Sequence, residues 1–333
     1  MRINMKRILS REGQVIWLLG LCILGVALQP STWHGTALAE TASSATAGPR
    51  ILLIEAEDLG MAHSIDKASF EALEKGWVTS AGFLAPAPWF PEVVRWAHSH
   101  PNADLGSQLD LNAEWASYRW RSVSVQSEKS GLLDPVGYLP SDARYIGQHA
   151  KPEEVAAEFQ AQIDLARKAG LPISHIDSHG GIVLYTPWLF QEYWKVSAQN
   201  ALPAVLSKEY VYQRGTPAGQ NIFSFGGAMI DISSLPIDRI IQMEPGIAQK
   251  DWLSAYERTL AALSPGTYLL SVHLGYNDDE LQAMTTDHPS WGAQWRQNDL
   301  DAISSPQFRE FLKDQGFILV SWKDLQKKTV KPN

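Results

Sequence analysis

Ile51-Leu52-Leu53-Ile54-Glu55-Ala56-Glu57-Asp58-Leu59-Gly60 is the stretch on which the fold turns. Four apolar residues run without a break and end on carboxylates and a glycine. A short continuous apolar run suits a parallel strand covered on both faces, whereas a half-exposed strand would alternate. Outward from it, strand-like and helix-like segments take turns. Residues 64–75 carry helical spacing, with Ser64 as N-cap and Gly76 as the stop. A second strand is expected over 78–84, and Pro91 opens the next helix, where a missing N–H costs nothing. A third strand follows over 105–111. Segment 112–150, rich in Trp, Tyr, Pro and Gly, interrupts the alternation. Pro152 restarts a helix with Val155, Phe159, Ile163 and Ala166 on one face and Gly170 as its stop, and 173–179 is the fourth strand. Segments 204–206 and 240–243 are weaker strand candidates; 252–263 is helical and 268–273 is a strong strand. Ser305-Pro306 begins a last helix ending at Gly316, ahead of the apolar run 317–322. No repeat and no dividing linker interrupts 50–325. Alternation of this kind means parallel strands, in a barrel or an open sheet, and in both the chemistry sits at the C-terminal strand ends.

Residues 1–39 read as a secretory signal. A basic start (Arg2, Lys6, Arg7, Arg11) precedes the apolar run 15–28 and then Ala37-Leu38-Ala39, so cleavage is expected after Ala39. The 14-residue run falls short of the roughly 20 residues that span a bilayer, which disfavours an uncleaved anchor. Cys22 follows Leu21, a residue too large for a lipoprotein signal. The expected product is periplasmic or secreted, with a small, polar lead-in over 40–49, a single α/β domain over 50–325 and a tail over 326–333. The signal holds four of the 28 Lys and Arg and one of the 36 Asp and Glu, leaving 24 against 35 and a net charge of −11. Such an acidic chain argues against nucleic acid and anionic lipid as partners, and no stable membrane insertion is expected once the signal is gone. Cys22 is the only cysteine, so the mature chain has neither a disulfide nor a thiolate metal site. Its core alone must hold it, and a chain of about 290 residues buries enough surface for that.

Polar residues collect at four strand ends: Glu55-Ala56-Glu57-Asp58, Gln108-Leu109-Asp110, His175-Ile176-Asp177-Ser178-His179 and His273. Side chains alternate along a strand, so His175, Asp177 and His179 are expected on one face and Gln108 with Asp110 on another. Each group alone is explicable as a turn, a cap or a satisfied hydrogen bond. Four together crowd ionisable groups at one end of a sheet, which is costly unless a metal or a reaction requires them.

At these residues the sequence resembles the YdjC-like carbohydrate deacetylases, also called the ChbG/HpnK family. The likeness is strongest in Glu57-Asp58-Leu59-Gly60, Leu73-Glu74-Lys75-Gly76-Trp77-Val78-Thr79-Ser80, Leu105-Gly106-Ser107-Gln108-Leu109, His175-Ile176-Asp177-Ser178-His179 and the His273 strand. It implies a distorted (β/α) barrel, a divalent metal and removal of acetyl groups from N-acetylated amino sugars or oligosaccharides. Glu57 matches the catalytic base, with His273 and Asp177 beside it in the catalytic group. Asp58, Gln108 and His179 match the metal ligands. Two positions depart from the family pattern: Glu57 stands for an aspartate and Gln108 for a histidine. An amide oxygen is a weak, hard ligand, so Mg²⁺ is favoured, with Mn²⁺, Ca²⁺ or Zn²⁺ as alternatives. Asp110 and His175 are auxiliary candidates at the same site. Trp115, Tyr118 and Trp120 offer flat faces for a sugar ring. Two competing readings stay open, a carbohydrate-binding relative with a vestigial site and a glycosidase working through paired carboxylates. No oligomeric state follows from the sequence.

Mass spectrometry of the chain from a periplasmic or culture fraction should give Glu40 as its first residue. Recovery of the intact 333-residue chain from membranes would replace the signal with an anchor.

Overall fold

A computed structural model describes residues 48–329 apart from 128, 215 and 217–219. The expected signal over 1–39 lies outside the described residues, as do most of the lead-in and 330–333. In chain order the strands are β1 (Arg50–Leu59), β2 (Ser80–Phe83), β3 (Leu105–Leu109), β4 (Ile173–Ser178), β5 (Ile222–Phe225), β6 (Ala228–Asp231), β7 (Arg239–Ile241), β8 (Gly266–Val272) and β9 (Phe317–Leu319). The helices are α1 (His63–Glu74), α2 (Phe90–Ser99), α3 (Ala143–His149), α4 (Pro152–Lys168), α5 (Pro187–Asn200), α6 (Lys208–Gln213), α7 (Trp252–Ala261), α8 (Asp279–Met284), α9 (Ala293–Ser304), α10 (Pro306–Asp314) and α11 (Trp322–Thr329).

Six parallel strands lie in the order β4-β3-β2-β1-β8-β7, and β5 and β6 form a separate antiparallel hairpin. β8 pairs along one edge of β1 from Arg50 to Ala56. Along the other edge, β9 takes the lower half (Arg50 to Leu52) and β2 the upper half. The outer strands β4 and β7 are joined by residues 203–208. Ala204 bridges Ile176 and Ser207 bridges Ile237, with Val205 N–H donating to Ile176 O at 2.9 Å. The curled sheet thus closes through an irregular seam, which makes the barrel a distorted one.

Alternation along β1 divides its side chains between two environments. Leu52, Ile54 and Ala56 face outward with Leu270 and Val272 of β8, packing on Phe70, Tyr256, Leu300 and Phe308 of the helices. Leu53 faces inward with Leu269, Val205, Ile237, Val320 and Trp322, which plug the bottom of the barrel. Glu55 and Glu57 therefore also face inward, one and two layers above that plug.

Several expected boundaries shift. Ser64 is inside α1, not its cap; its hydroxyl bonds Asp278 and Glu280, and the Glu280 carboxylate caps the helix by accepting from His63 N at 3.2 Å and Ser64 N at 2.8 Å. Gly76, at φ +67°, supplies the left-handed turn that ends it. Segment 112–150 holds one short helix, α3, and packs Trp115, Trp120 and Leu139 on Met61, Ile65, Leu281 and Met284. The helix at Ser305-Pro306 is not the last: α11 follows β9 and runs across the boundary expected at 325. Among the described residues no helix is long and apolar enough to cross a membrane.

Gly106 on β3 is pressed by the His175 ring. A Cβ there would sit 2.2 Å from His175 Nε2, and the ring is stacked on Trp322 and bonded to Glu55, so it cannot yield. Gly106→Ala should lower stability by about 3 kcal/mol in urea unfolding. Gly48→Ala, where the nearest atom is 3.5 Å away, should change it little.

Candidate active site

The polar interior rises in layers. In the lowest, Glu55 is fully buried and satisfied: Oε1 meets His175 Nε2 at 2.5 Å, and Oε2 accepts from Trp322 Nε1 at 2.9 Å. The other His175 nitrogen contacts Ser174 Oγ at 2.9 Å, and Ser174 reaches Asp104. Burial opposes a charge on His175, but the Glu55 carboxylate outweighs it and raises the pKa.

One layer up stand Glu57, Asp177, Gln108 and Ser271. Glu57 Oε1 accepts from Ser271 Oγ at 3.0 Å, while Oε2 is buried with no hydrogen bond. A side chain at Gly82 would come within 3.0 Å of that oxygen. Burial, then the neighbouring carboxylates of Glu55 and Asp177, push Glu57 well above the usual carboxylate range. Asp177 rises to about 7 by burial and the charge of Glu55.

The mouth is built differently. Asp58 has φ 71°, in the left-handed region, and pairing between β1 and β2 shifts register between Ala56 and Leu59. A non-glycine residue held there is strained, and such strain collects at functional sites. Gln108 Oε1 accepts from Asp58 N at 3.0 Å and Asp58 Oδ2 pairs with Arg296 Nη2 at 2.7 Å. Asp58 Oδ1 lies 3.1 Å from His179 Nδ1, and His179 Nε2 lies 3.1 Å from Glu114 Oε1. Burial opposes ionisation of Asp58, but Arg296 and His179 hold its carboxyl well below the usual range. His273, its ring 4.8 Å from that of Trp295, is driven down to about 3 by burial and stays neutral. Its backbone N–H donates to Asp299 Oδ2 at 2.9 Å, and Asp299 is anchored by Tyr256 and Trp252.

Two spaces meet here. A cleft of about 1260 Å³ is bordered by Asp58, Glu114, Trp115, His179 and Arg296; a cavity of about 350 Å³ is bordered by Glu57, Gln108, Asp177 and Ser271. His273 borders both. The strand-end residues expected at the site thus converge, with His175 sealed beneath it. Asp110 is turned to the loop: Asn112 N donates to Oδ1 at 3.0 Å and Trp120 Nε1 to Oδ2 at 2.7 Å, and burial lifts its pKa to about 7. Of the three expected aromatic residues, Trp115 borders the cleft. Yet Trp115 is as deeply buried as Trp120, with Nε1 on Met61 Sδ, and Tyr118 donates to Met61 O at 2.8 Å, so all three fasten the loop. Trp291 supplies exposed aromatic surface to the cleft, with the buried Trp295 packed against its edge. These two, Arg296 and Glu114 were missed, because they come from α9, the turn before it and a loop, beyond the reach of the strand-end rule.

Asp58 Oδ1 and His179 Nδ1 are buried, 3.1 Å apart and not aligned as a hydrogen bond. Burial opposes a charge on His179, but the carboxylates of Glu114 and Asp58 outweigh it and raise its pKa, so these donors fit a divalent ion once the ion displaces that proton, with the Gln108 oxygen held at Asp58 N. Among the described residues no three His, Cys, Asp or Glu side chains form a complete cage.

A protein-family model described as YdjC-like protein matches residues 51–314. A carbohydrate deacetylase of Thermus thermophilus is 29% identical over 282 residues, covering 83% of this chain and 94% of the relative. A carbohydrate deacetylase of Enterococcus faecalis is 23% identical over 283 residues, covering 82% and 97%. The chain is also similar to the solved structure of an Enterococcus faecalis protein described as a cellobiose-phosphate cleavage protein, at a TM-score of 0.65 and 21% identity, covering 84% of this chain and 99% of that one. At that identity the likeness is one of fold.

Arg296→Met would leave the buried Asp58 carboxylate without its cation and should cost about 3–5 kcal/mol of stability at pH 7. Because the Asp58 pKa is depressed in the folded state, its contribution is present above the ordinary carboxylate pKa and lost below it. The gap between variant and wild type in urea unfolding should therefore narrow as pH falls toward the acid range.

Proposed function

The chain belongs to the YdjC-like family, and from that premise we propose that it is an exported, metal-dependent hydrolase that removes N-acetyl groups from amino sugars or their oligomers. The observation that carries the reading is the pairing of two kinds of group at one mouth. Asp58 Oδ1 and His179 Nδ1 face each other at 3.1 Å beside the cleft, and Glu57, with one oxygen unbonded, stands one layer behind. Asp58 and His179, with the Gln108 amide oxygen, would hold a divalent ion, Mg²⁺ before Mn²⁺, Ca²⁺ or Zn²⁺. Such an ion polarises an acetyl carbonyl and lowers the pKa of water.

The remaining steps belong to the chain's own side chains. Glu57, oriented by Ser271, takes the proton from the attacking water, and its raised pKa suits it to hold that proton. His273, neutral at rest and bordering both spaces, takes that proton on from Glu57 and delivers it to the leaving nitrogen, ending neutral. Arg296 fixes Asp58 through Oδ2 and leaves Oδ1 toward His179. Trp291, exposed at the edge of the cleft, gives it an aromatic face that a sugar ring can stack on. Export rests on the signal pattern over 1–39.

The test is acetate release from N-acetylglucosamine oligomers with Mg²⁺, Mn²⁺, Co²⁺ and Zn²⁺ each supplied. Glu57→Gln should lower the rate by about 10²–10⁴ while metal and sugar binding persist. Asp58→Asn should lose metal and activity together. Acetate release that survives in Glu57→Gln would remove Glu57 as the base. No acetate from wild type, together with measurable oligosaccharide binding, would establish the binding-protein reading instead.

Position 108 has its own test. Gln108→His should tighten zinc at least roughly tenfold in calorimetric titration, because an imidazole suits zinc better than an amide oxygen. Equal affinity would mean that the side chain at 108 does not reach the metal.

A further inference from the structure

The cavity of about 350 Å³ behind the mouth is not accounted for by an acetyl group. A methyl is close to a water molecule in size, and a cavity of this volume has room for roughly ten such groups. Its walls change character along their length. Glu57 and Asp177 come from β1 and β4; Val183 and Leu184 follow β4, and Val205 and Leu206 of the seam are joined at that end by Ser207, Glu209 and Tyr210. Ile240, 37% exposed, stands at the rim. The cavity joins the cleft at Gly180, Leu184, Gln242 and His273. A substrate whose amide carbon lies at the mouth therefore has the wide, aromatic cleft for its sugar and this narrower space for its acyl chain.

We propose that this cavity is an acyl pocket, and that the chain hydrolyses N-acyl amino sugars whose acyl chain is about four to six carbons long in preference to acetyl ones. The proposal rests on the deacetylase reading of the mouth and extends it to the acyl side. The reaction is unchanged: the acyl C–N bond breaks, water oxygen bonds to the acyl carbon, and the amide plus water gives a carboxylate and an ammonium ion. Each methylene that leaves water for the wall formed by Val183, Val205 and Leu206 favours the longer chain by about three- to fourfold. The walls also set the limit, since a fully packed cavity penalises any further carbon.

The experiment compares N-acetyl-, N-butyryl- and N-hexanoyl-glucosamine oligomers with the wild-type chain and each metal supplied. The expected kcat/KM for butyryl exceeds that for acetyl by about tenfold, from two added methylenes. Leu206→Trp should remove the advantage, bringing the ratio of butyryl to acetyl kcat/KM to about one or below. Ile240→Trp, at the exposed rim, is the second variant should Leu206→Trp not fold. Butyryl turnover at or below acetyl turnover in the wild type, or an advantage unchanged in a folded variant, would overturn the acyl pocket. A second arm needs no turnover: calorimetric titration of the wild type with butyrate and with acetate. Butyrate should bind about tenfold tighter, and Ile240→Trp should abolish the difference. If no oligomer is hydrolysed, the deacetylase reading fails and this titration alone decides the pocket, equal binding of the two acids counting against it.

Discussion

Glu55 and Glu57 lie two residues apart on one strand, and the pleat turns both into a closed interior. Two carboxylates cannot share so dry a space unless at least one is neutralised or both are displaced. The lower one is neutralised: Glu55 holds His175 on one oxygen and the Trp322 indole on the other. That pairing explains features far apart in the chain. Position 106 is a glycine because the His175 ring fills the space over it. The C-terminal segment returns through β9 to pair with the base of β1, and so delivers Trp322 beneath the glutamate. Glu57 above it has no such partner on Oε2, and burial first, then the carboxylates of Glu55 and Asp177, raise its pKa.

The second constraint is the turn at Asp58. Had β1 continued without the register shift, residue 58 would have faced outward toward the helices with Ala56. The left-handed backbone at φ 71° instead brings Asp58 to the rim, where Arg296 and His179 meet it. The strain is held in place by the hydrogen bond from Asp58 N to Gln108 and by the buried pair with Arg296. Adjacent acidic residues thus serve different spaces, Asp58 the wide cleft and Glu57 the narrower cavity, and each keeps its own environment.

Much of this was legible in the sequence for one reason. Parallel strands buried on both faces give unbroken apolar runs, and the residues that end those runs must stand at the catalytic end. The four strand ends, Glu57-Asp58, Gln108, Asp177 to His179, and His273, were reached in that way. The family resemblance then supplied roles that spacing alone could not give. Arg296 escaped because a helix places it by tertiary packing; nothing in Trp-Arg-Gln-Asn-Asp marks a guanidinium that must cross to β1. Tyr118 and Trp120 misled for the opposite reason. Aromatic residues in a long loop look available for a ligand, but such a loop needs apolar anchors to lie on the barrel, and these two are spent that way. Ser64 likewise has a capping side chain, yet Glu280 of a distant helix caps α1 with both oxygens and leaves the serine hydroxyl to its own network.

The glutamine at 108 acquires its meaning from the same geometry. An imidazole there would offer the metal a lone pair but would have to keep a nitrogen turned to the Asp58 N–H as well. The amide oxygen accepts that N–H and retains a second lone pair, so the position still supports the strained backbone of Asp58 while its ligand character weakens. Support of the turn and ligation of an ion are therefore separable at this residue. A substitution that weakens ligation need not disturb the carboxylates, because Glu55 and His175 are fixed from below and Asp58 is fixed from the side by Arg296. The positive charge at the mouth comes from the chain itself: the Arg296 guanidinium balances Asp58, and that contact lets the mouth keep its shape.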